Sequence, residues 1–106
     1  MPQFLFVYHG GTTPTDPAEV EKTMAAWGAW FQGMESAIEI PGNPVGQSHT
    51  VSSSGVADNG GANPASGFTV VKADNMDAAT EMAKGCPMVT NGSGSVEVAE
   101  VHEIEM

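Results

Sequence analysis

Three kinds of side chain in this sequence can move protons near neutral pH: histidine, the carboxylates and one cysteine. His9 closes the apolar run Phe4-Leu5-Phe6-Val7-Tyr8 and stands immediately before Gly10-Gly11. A side chain at a strand end projects into whatever cleft the sheet edge bounds, and imidazole titrates near working pH. His9 is therefore the candidate general acid/base. Its structural alternative is a ring hydrogen-bonded to the adjoining turn. Glu97 and His102 lie on the last strand-like segment and would reach the same cavity if the first and last strands are neighbours. Alternation puts these two on opposite faces, so at most one joins His9 as a catalytic or ligand-binding partner. For Glu97 the alternative is a solvated or ion-paired carboxylate.

Other chemistries find less support. His9, His49 and His102 are scattered without the short paired spacing of zinc sites, so no metal centre is expected. Cys86 follows the C-terminus of a helical pattern and precedes Pro87, a setting for a buried structural thiol rather than a nucleophile. Gly10-Gly11 and Gly60-Gly61 lack the spacing and the lysine of a phosphate cradle, so no nucleotide or other cofactor is expected. Trp27, Trp30, Phe31 and Phe68 read first as helix-on-sheet core. The competing role keeps Trp27, Trp30 or Phe68 in a pocket. An apolar cavity of that kind, with His9 at its mouth, would suit a small neutral organic ligand.

The whole-chain arithmetic narrows the partners. The 106 residues are one domain's worth, carrying 13 acidic against 3 basic side chains for a formal charge of −10. All three cations are lysines (Lys22, Lys72 and Lys84) and there is no arginine, so the chain lacks the bidentate fork for phosphate and its field repels polyanions. No nucleic-acid or membrane partner is expected. Hydrophobic residues at 41% and charged residues at only 15% describe a folded acidic domain, not a charge-dense tail. A single cysteine excludes an internal disulfide. The N-terminal run lacks a basic start and a cleavage site, and no apolar stretch approaches the roughly 20 residues of a bilayer span. The expected location is cytoplasmic.

The elements that must position these residues follow from periodicity. Residues 4–8 alternate with both faces largely apolar, a strand that wants cover on two sides. Gly10, Gly11 and Pro14 end it, and Asp16-Pro17-Ala18-Glu19 opens a helix with a capping-box pattern and proline at the first turn. Val20, Met24, Trp27, Phe31 and Met34 recur at helical spacing as its core stripe, with Trp30 at the edge. Residues 38–40 form a short second strand. A Gly/Pro/Ser-rich arm, residues 41–66, carries a small hairpin of 48–51 with 56–57 across Ser53-Ser54-Gly55. Residues 67–73 form the next strand, Asp74-Asn75-Met76-Asp77 caps a second helix, Gly85 and Pro87 stop it, and residues 94–103 form the last strand. The order predicts a ferredoxin-like βαββαβ sandwich with both helices on one face. The other sheet face lacks cover, so two copies would pair sheet to sheet as a homodimer, a dimeric α+β barrel.

The run Gly67-Phe68-Thr69-Val70-Val71-Lys72-Ala73-Asp74, then Met76-Asp77-Ala78-Ala79, Ala83-Lys84-Gly85-Cys86-Pro87 and Gly94-Ser95-Val96-Glu97-Val98, resembles the second half of YCII-related proteins, the YciI and DGPF-domain group. The opening Phe4-Leu5-Phe6-Val7-Tyr8-His9-Gly10-Gly11 and the stretch Met24-Ala25-Ala26-Trp27-Gly28-Ala29-Trp30-Phe31 are similar to one branch of it. The resemblance implies the fold just argued, a dimer, and a setting beside alternative sigma factors for some members. It also implies a histidine on helix one and an aspartate after strand two as an acid/base pair. Here helix one has no histidine and Pro41-Gly42-Asn43-Pro44 has no aspartate, so that pair does not carry over. The Asp-Gly-Pro-Phe signature is replaced roughly by Asn59-Gly60-Gly61-Ala62-Asn63-Pro64.

Two functions from different classes remain. One is a small-molecule-binding or regulatory accessory dimer without chemistry of its own, favoured by the missing acid/base pair. The other is a cofactor-free lyase, isomerase or oxygenase acting on a small cyclic or aromatic compound, with His9 as proton shuttle.

Overall fold

The computed structural model describes residues 1–11, 15–58, 61, 64–102 and 104. Pro14, Glu103 and most of the 59–64 stretch that stands in for the Asp-Gly-Pro-Phe signature lie outside them. The elements run β1 (Gln3–Gly10), α1 (Pro17–Gly33), β2 (Ile38–Ile40), β3 (Thr50–Ser52), β4 (Gly55–Ala57), β5 (Ala65–Lys72), α2 (Met76–Ala83), α3 (Pro87–Thr90) and β6 (Gly94–Glu100). A four-stranded antiparallel sheet has the order β2-β5-β1-β6, and β3 with β4 forms a separate two-stranded hairpin. This is a mixed α+β architecture.

The local signals act as their chemistry requires. Asp16 caps α1 by accepting the Ala18 amide at 3.2 Å, with Pro17 in the first turn. Asn75 caps α2 by accepting from the Ala78 amide at 2.9 Å. Each side-chain oxygen satisfies a helix donor that has no intrahelical acceptor. Pro87 stops α2 and also opens the single-turn helix α3, which the sequence pattern did not predict. β6 ends at Glu100, short of the expected 103, because its partner β1 begins at Gln3. The Val101 amide donates to Gln3 O at 3.0 Å, and β1 reaches no further.

The central position of β1, between β5 and β6, explains its two apolar faces. Phe4, Phe6 and Tyr8 are buried against the helices in one cluster with Met34, Val71, Ala79, Ala83 and Met88. Leu5, Val7 and His9 are half-buried on the opposite face, away from all three helices. The expected stripe of α1 needs correction. Met34, at the helix C-cap, is buried and Trp27 and Phe31 pack against the core, yet Met24 is 70% exposed and no residue of α1 itself is fully buried. The large rings of α1 stand between the helix and the sheet. Trp27 meets Tyr8 edge-on at 5.2 Å between centroids, and Trp30 stacks on Phe31 at 5.4 Å.

Candidate functional site

Beneath residues 24–31 of α1 is a cleft of about 530 Å³. Met24, Trp27 and Phe31 form its helical wall, Tyr8 and Thr69 its floor, and Met88 one end. The far wall is the chain that follows β2. Residues 41–45 run beside β5 as a strap: the Phe68 amide donates to Asn43 O at 3.3 Å, the Val45 amide donates to Ser66 O at 3.0 Å, and Pro44 bridges to Gly67. Gly42 turns the strap at a φ of +78°, directly over the Phe68 carbonyl. β5 is irregular opposite the Tyr8/His9 step, where Ser66 has no direct partner in the register. Such a bulge redirects side chains next to binding sites.

The cleft is mostly apolar with a few hydroxyls. Thr69 donates its hydroxyl to Pro41 O at 2.9 Å, and the Tyr8 and Thr69 oxygens are 2.7 Å apart. Because Thr69 has one proton and gives it to Pro41, Tyr8 is the donor to Thr69. Burial pushes the Tyr8 phenol up to about 12, the Thr69 hydrogen bond opposing that rise only in part. The hydroxyl therefore stays neutral across the working range.

This gives a direct expectation. Tyr8 is the single tyrosine in the chain, so its ultraviolet difference spectrum reports one group. Its ionisation midpoint is expected near 12 in the folded protein against about 10 in the unfolded one. With the folded value raised, the native state holds the proton more tightly. The stability this confers is complete below about pH 10 and is lost as pH climbs towards the folded value. A midpoint near that of free tyrosine would contradict the buried hydroxyl chain.

The sequence-predicted residues divide between two sides of the sheet. Trp27 lines the cleft. Phe68 borders it from β5, although its register opposite Val7 turns its side chain to the other face. Trp30 does not: it stacks over Phe6 and donates its indole N–H to Met82 O at 2.9 Å, a packing role beside a shallower groove. His9 is not at the mouth of the aromatic cavity. Alternation puts it opposite Tyr8, on the helix-free sheet face, where its Nε2 lies 2.9 Å from a Glu97 carboxylate oxygen and its Nδ1 lies 3.3 Å from Pro64 O. The Val7–Glu97 register is what brings Glu97 to that side. The His9 side chain is only 13% exposed and Glu97 is 66% exposed, so the pair is shielded at the ring and open at the carboxylate. His102 is at the other end of β6, exposed and 3.5 Å from Glu100, and meets neither His9 nor the cleft.

Tyr8, Thr69, Ser66 and the Pro41–Pro44 strap escaped sequence reasoning. The signal for Tyr8 was present, since a tyrosine on a buried strand face needs a partner for its hydroxyl. Cys86 is fully buried and burial pushes its thiol up, even though backbone amides of Met88 and Val89 at the start of α3 favour the thiolate. Cys86 therefore occupies the N-cap position of α3, without a side-chain capping hydrogen bond, rather than simply trailing α2, and desolvation outweighs both amides. Among the described residues no three His, Cys, Asp or Glu side chains converge as a metal site, and no helix is long and apolar enough to cross a membrane.

A solved structure of 5-chloro-2-hydroxyhydroquinone dehydrochlorinase from Burkholderia phenoliruptrix AC1100, in complex with 2,5-dihydroxybenzoquinone, matches with a TM-score of 0.55 and 16% identity, covering 92% of this chain and 93% of that one. That likeness shows a shared fold. No curated protein sequence matches. The family model described as the YCII-related domain covers residues 4–105, as the motifs in β5, α2 and β6 had suggested, and the chain belongs to the YCII-related family.

Proposed function

We propose that this protein is a small-molecule-binding accessory or regulatory protein whose ligand is a small, flat, neutral organic ring held in the cleft between α1 and β5. The cleft itself carries the proposal. At about 530 Å³ it lies within the roughly 300–1,000 Å³ of small-ligand pockets, with aromatic walls and few polar groups. Trp27 offers an edge or face to a flat ring. No lysine lines the cleft and the chain has no arginine, while the net charge of −10 repels anions. The dehydrochlorinase of like fold was solved with a flat six-membered quinone, which supports the same shape class here.

The finer architecture belongs to the same proposal. The strand order and the helices on one face fit a ferredoxin-like sandwich. The half-buried Leu5 and Val7 on the helix-free face fit a homodimer closing sheet to sheet as a dimeric α+β barrel. Sedimentation at micromolar concentration is expected to give twice the chain mass, and a folded single chain would refute the barrel. A cytoplasmic location without cofactor, nucleic acid or membrane partner completes the proposal.

Screening small neutral aromatics by thermal unfolding tests the ligand class. A ligand at a hundred times its Kd stabilises by about 2.7 kcal/mol, which raises the midpoint of a domain this size by roughly 10 °C. No shift with any neutral ring, together with a shift for organic anions, would overturn it. One observation favours a second role, a cofactor-free lyase, isomerase or oxygenase with His9 as general acid/base. The 2.9 Å contact with Glu97 is the geometry of an oriented acid/base pair. Turnover abolished by His9→Gln but not by cleft substitutions would favour this role over binding alone.

A further inference from the structure

Among the described residues, one buried polar group bordering the cleft has no hydrogen-bond partner. Ser66 Oγ is buried and has no hydrogen-bond partner among the described residues, while its own carbonyl is taken by the Val45 amide. A buried hydroxyl without a partner costs stability, and a χ1 step to another staggered rotamer is the movement by which a serine reaches a new partner. Ser66 lines the cleft, so a χ1 step that turns Oγ out of its buried position lets a ligand seated there receive its proton. Tyr8 offers the complement. Its proton is committed to Thr69, and the Thr69 proton to Pro41 O, so towards the cleft the phenol oxygen has only lone pairs to give. Ser66 and Tyr8 line the same cleft, and they are neighbours in the register: at the irregularity in β5 Tyr8 pairs with Gly67, the residue after Ser66.

We propose that Ser66 and Tyr8 act as a donor and an acceptor side by side, selecting flat ligands that carry a carbonyl next to a hydroxyl on one ring edge. Ser66 donates to the ligand carbonyl, and the ligand hydroxyl donates to Tyr8. A ring with only acceptors leaves the Tyr8 lone pairs without a donor, and one with only donors leaves Ser66 as it stands. This selectivity rests on the cleft being the ligand site, and it adds the pattern of groups the ligand must present.

The test uses maltol, a neutral ring with a hydroxyl beside its carbonyl, its O-methyl ether, which lacks the donor, and indole as a ring without either pattern. Affinities are measured calorimetrically for the wild type, Ser66→Ala and Tyr8→Phe. Each substitution is expected to weaken maltol about tenfold, the loss of one hydrogen bond to a buried partner. The ether should bind the wild type about tenfold more weakly than maltol, lose further affinity in Ser66→Ala, and be indifferent to Tyr8→Phe. Without ligand, Ser66→Ala should unfold at the same temperature as the wild type or higher, because it deletes an unpaired hydroxyl. A structural serine would instead lower it. Ser66→Ala binding maltol as the wild type does, or unfolding several degrees earlier, overturns the donor role. Equal wild-type affinities for maltol and its ether overturn the acceptor role. Indole binding with these failures leaves the cleft as a ring site without the selectivity. Failure of all three compounds to bind overturns the cleft site and the selectivity together.

Discussion

Alanine in place of Gly42 is expected to cost the fold about 3 kcal/mol or more, from positive-φ strain together with lost backbone and hydroxyl hydrogen bonds. The cause is geometric. A Cβ at this position would sit 1.7 Å from the Phe68 carbonyl oxygen and 2.6 Å from its carbon, with the backbone at a φ of +78°. These are backbone atoms of a sheet strand, so no side-chain rotation relieves the clash. Residues 41–45 must lift away from β5, and the Thr69–Pro41 and Phe68–Asn43 bonds go with them. For a domain of this size the unfolding midpoint should fall by roughly 12 °C or more. Ligand affinity should fall as well, because the strap is the far wall of the cleft. Gly28→Ala and Gly33→Ala are the controls. Both sites are exposed on α1 with open space around the new Cβ, and alanine there should stabilise by about 0.5–1 kcal/mol through helix propensity. Circular dichroism melts of the three variants decide it. A Gly42→Ala midpoint at or above the wild-type value would mean that the strap does not lie over β5 as described.

The second large effect concerns binding. Trp27→Ala is expected to weaken aromatic ligands about a hundredfold, on the scale of a central aromatic anchor. Trp27 is held edge-on against Tyr8 and Phe31, so its ring is oriented before any ligand arrives and little ordering is needed on binding. Trp27→Phe should recover much of the affinity by restoring a flat wall. Trp30→Phe, which removes an indole bonded to Met82 O, should lower stability by about 1 kcal/mol and leave affinity nearly unchanged. That contrast separates a ring that meets ligand from one that packs. Isothermal titration with one bound aromatic is sufficient, and equal affinity losses in the two tryptophan variants would refute the division.

What the sequence could show was local. Asp16-Pro17 starts α1, residues 38–40 are β2, and the Ser53-Ser54 turn joins β3 to β4, each as their capping and turn chemistry dictates. The strand alternation in β1 also held. It put Phe4, Phe6 and Tyr8 on one side and His9 on the other, and the structure keeps that division. What it could not show was which side the tryptophans would cover, and so His9 was expected at the mouth of the aromatic cavity. The answer depends on α1 packing over Phe6 and Tyr8, a contact between distant elements with no local signature.

The cleft was hidden for the same reason. Its floor is a hydroxyl chain joining Tyr8 to Thr69, sixty-one positions away, and Thr69 to Pro41. Its wall is a Pro/Gly segment that composition marks only as loop. The pairing of His9 with Glu97, by contrast, was half legible. Parity alone allowed Glu97 or His102, and the β1–β6 register selects Glu97.

The central claim is that ligand enters on the helical side of the sheet, under α1, and not at the His9–Glu97 pair on the reverse side. Two-dimensional amide and indole NMR during titration with a neutral aromatic such as maltol tests it most directly. The expected result is a set of shifts concentrated at the Trp27 indole and at the amides of Gly11, Asn43, Ser66 and Gly67. Shifts centred instead on His9, Ser95 and Glu97, with the Trp27 indole unmoved, would contradict it.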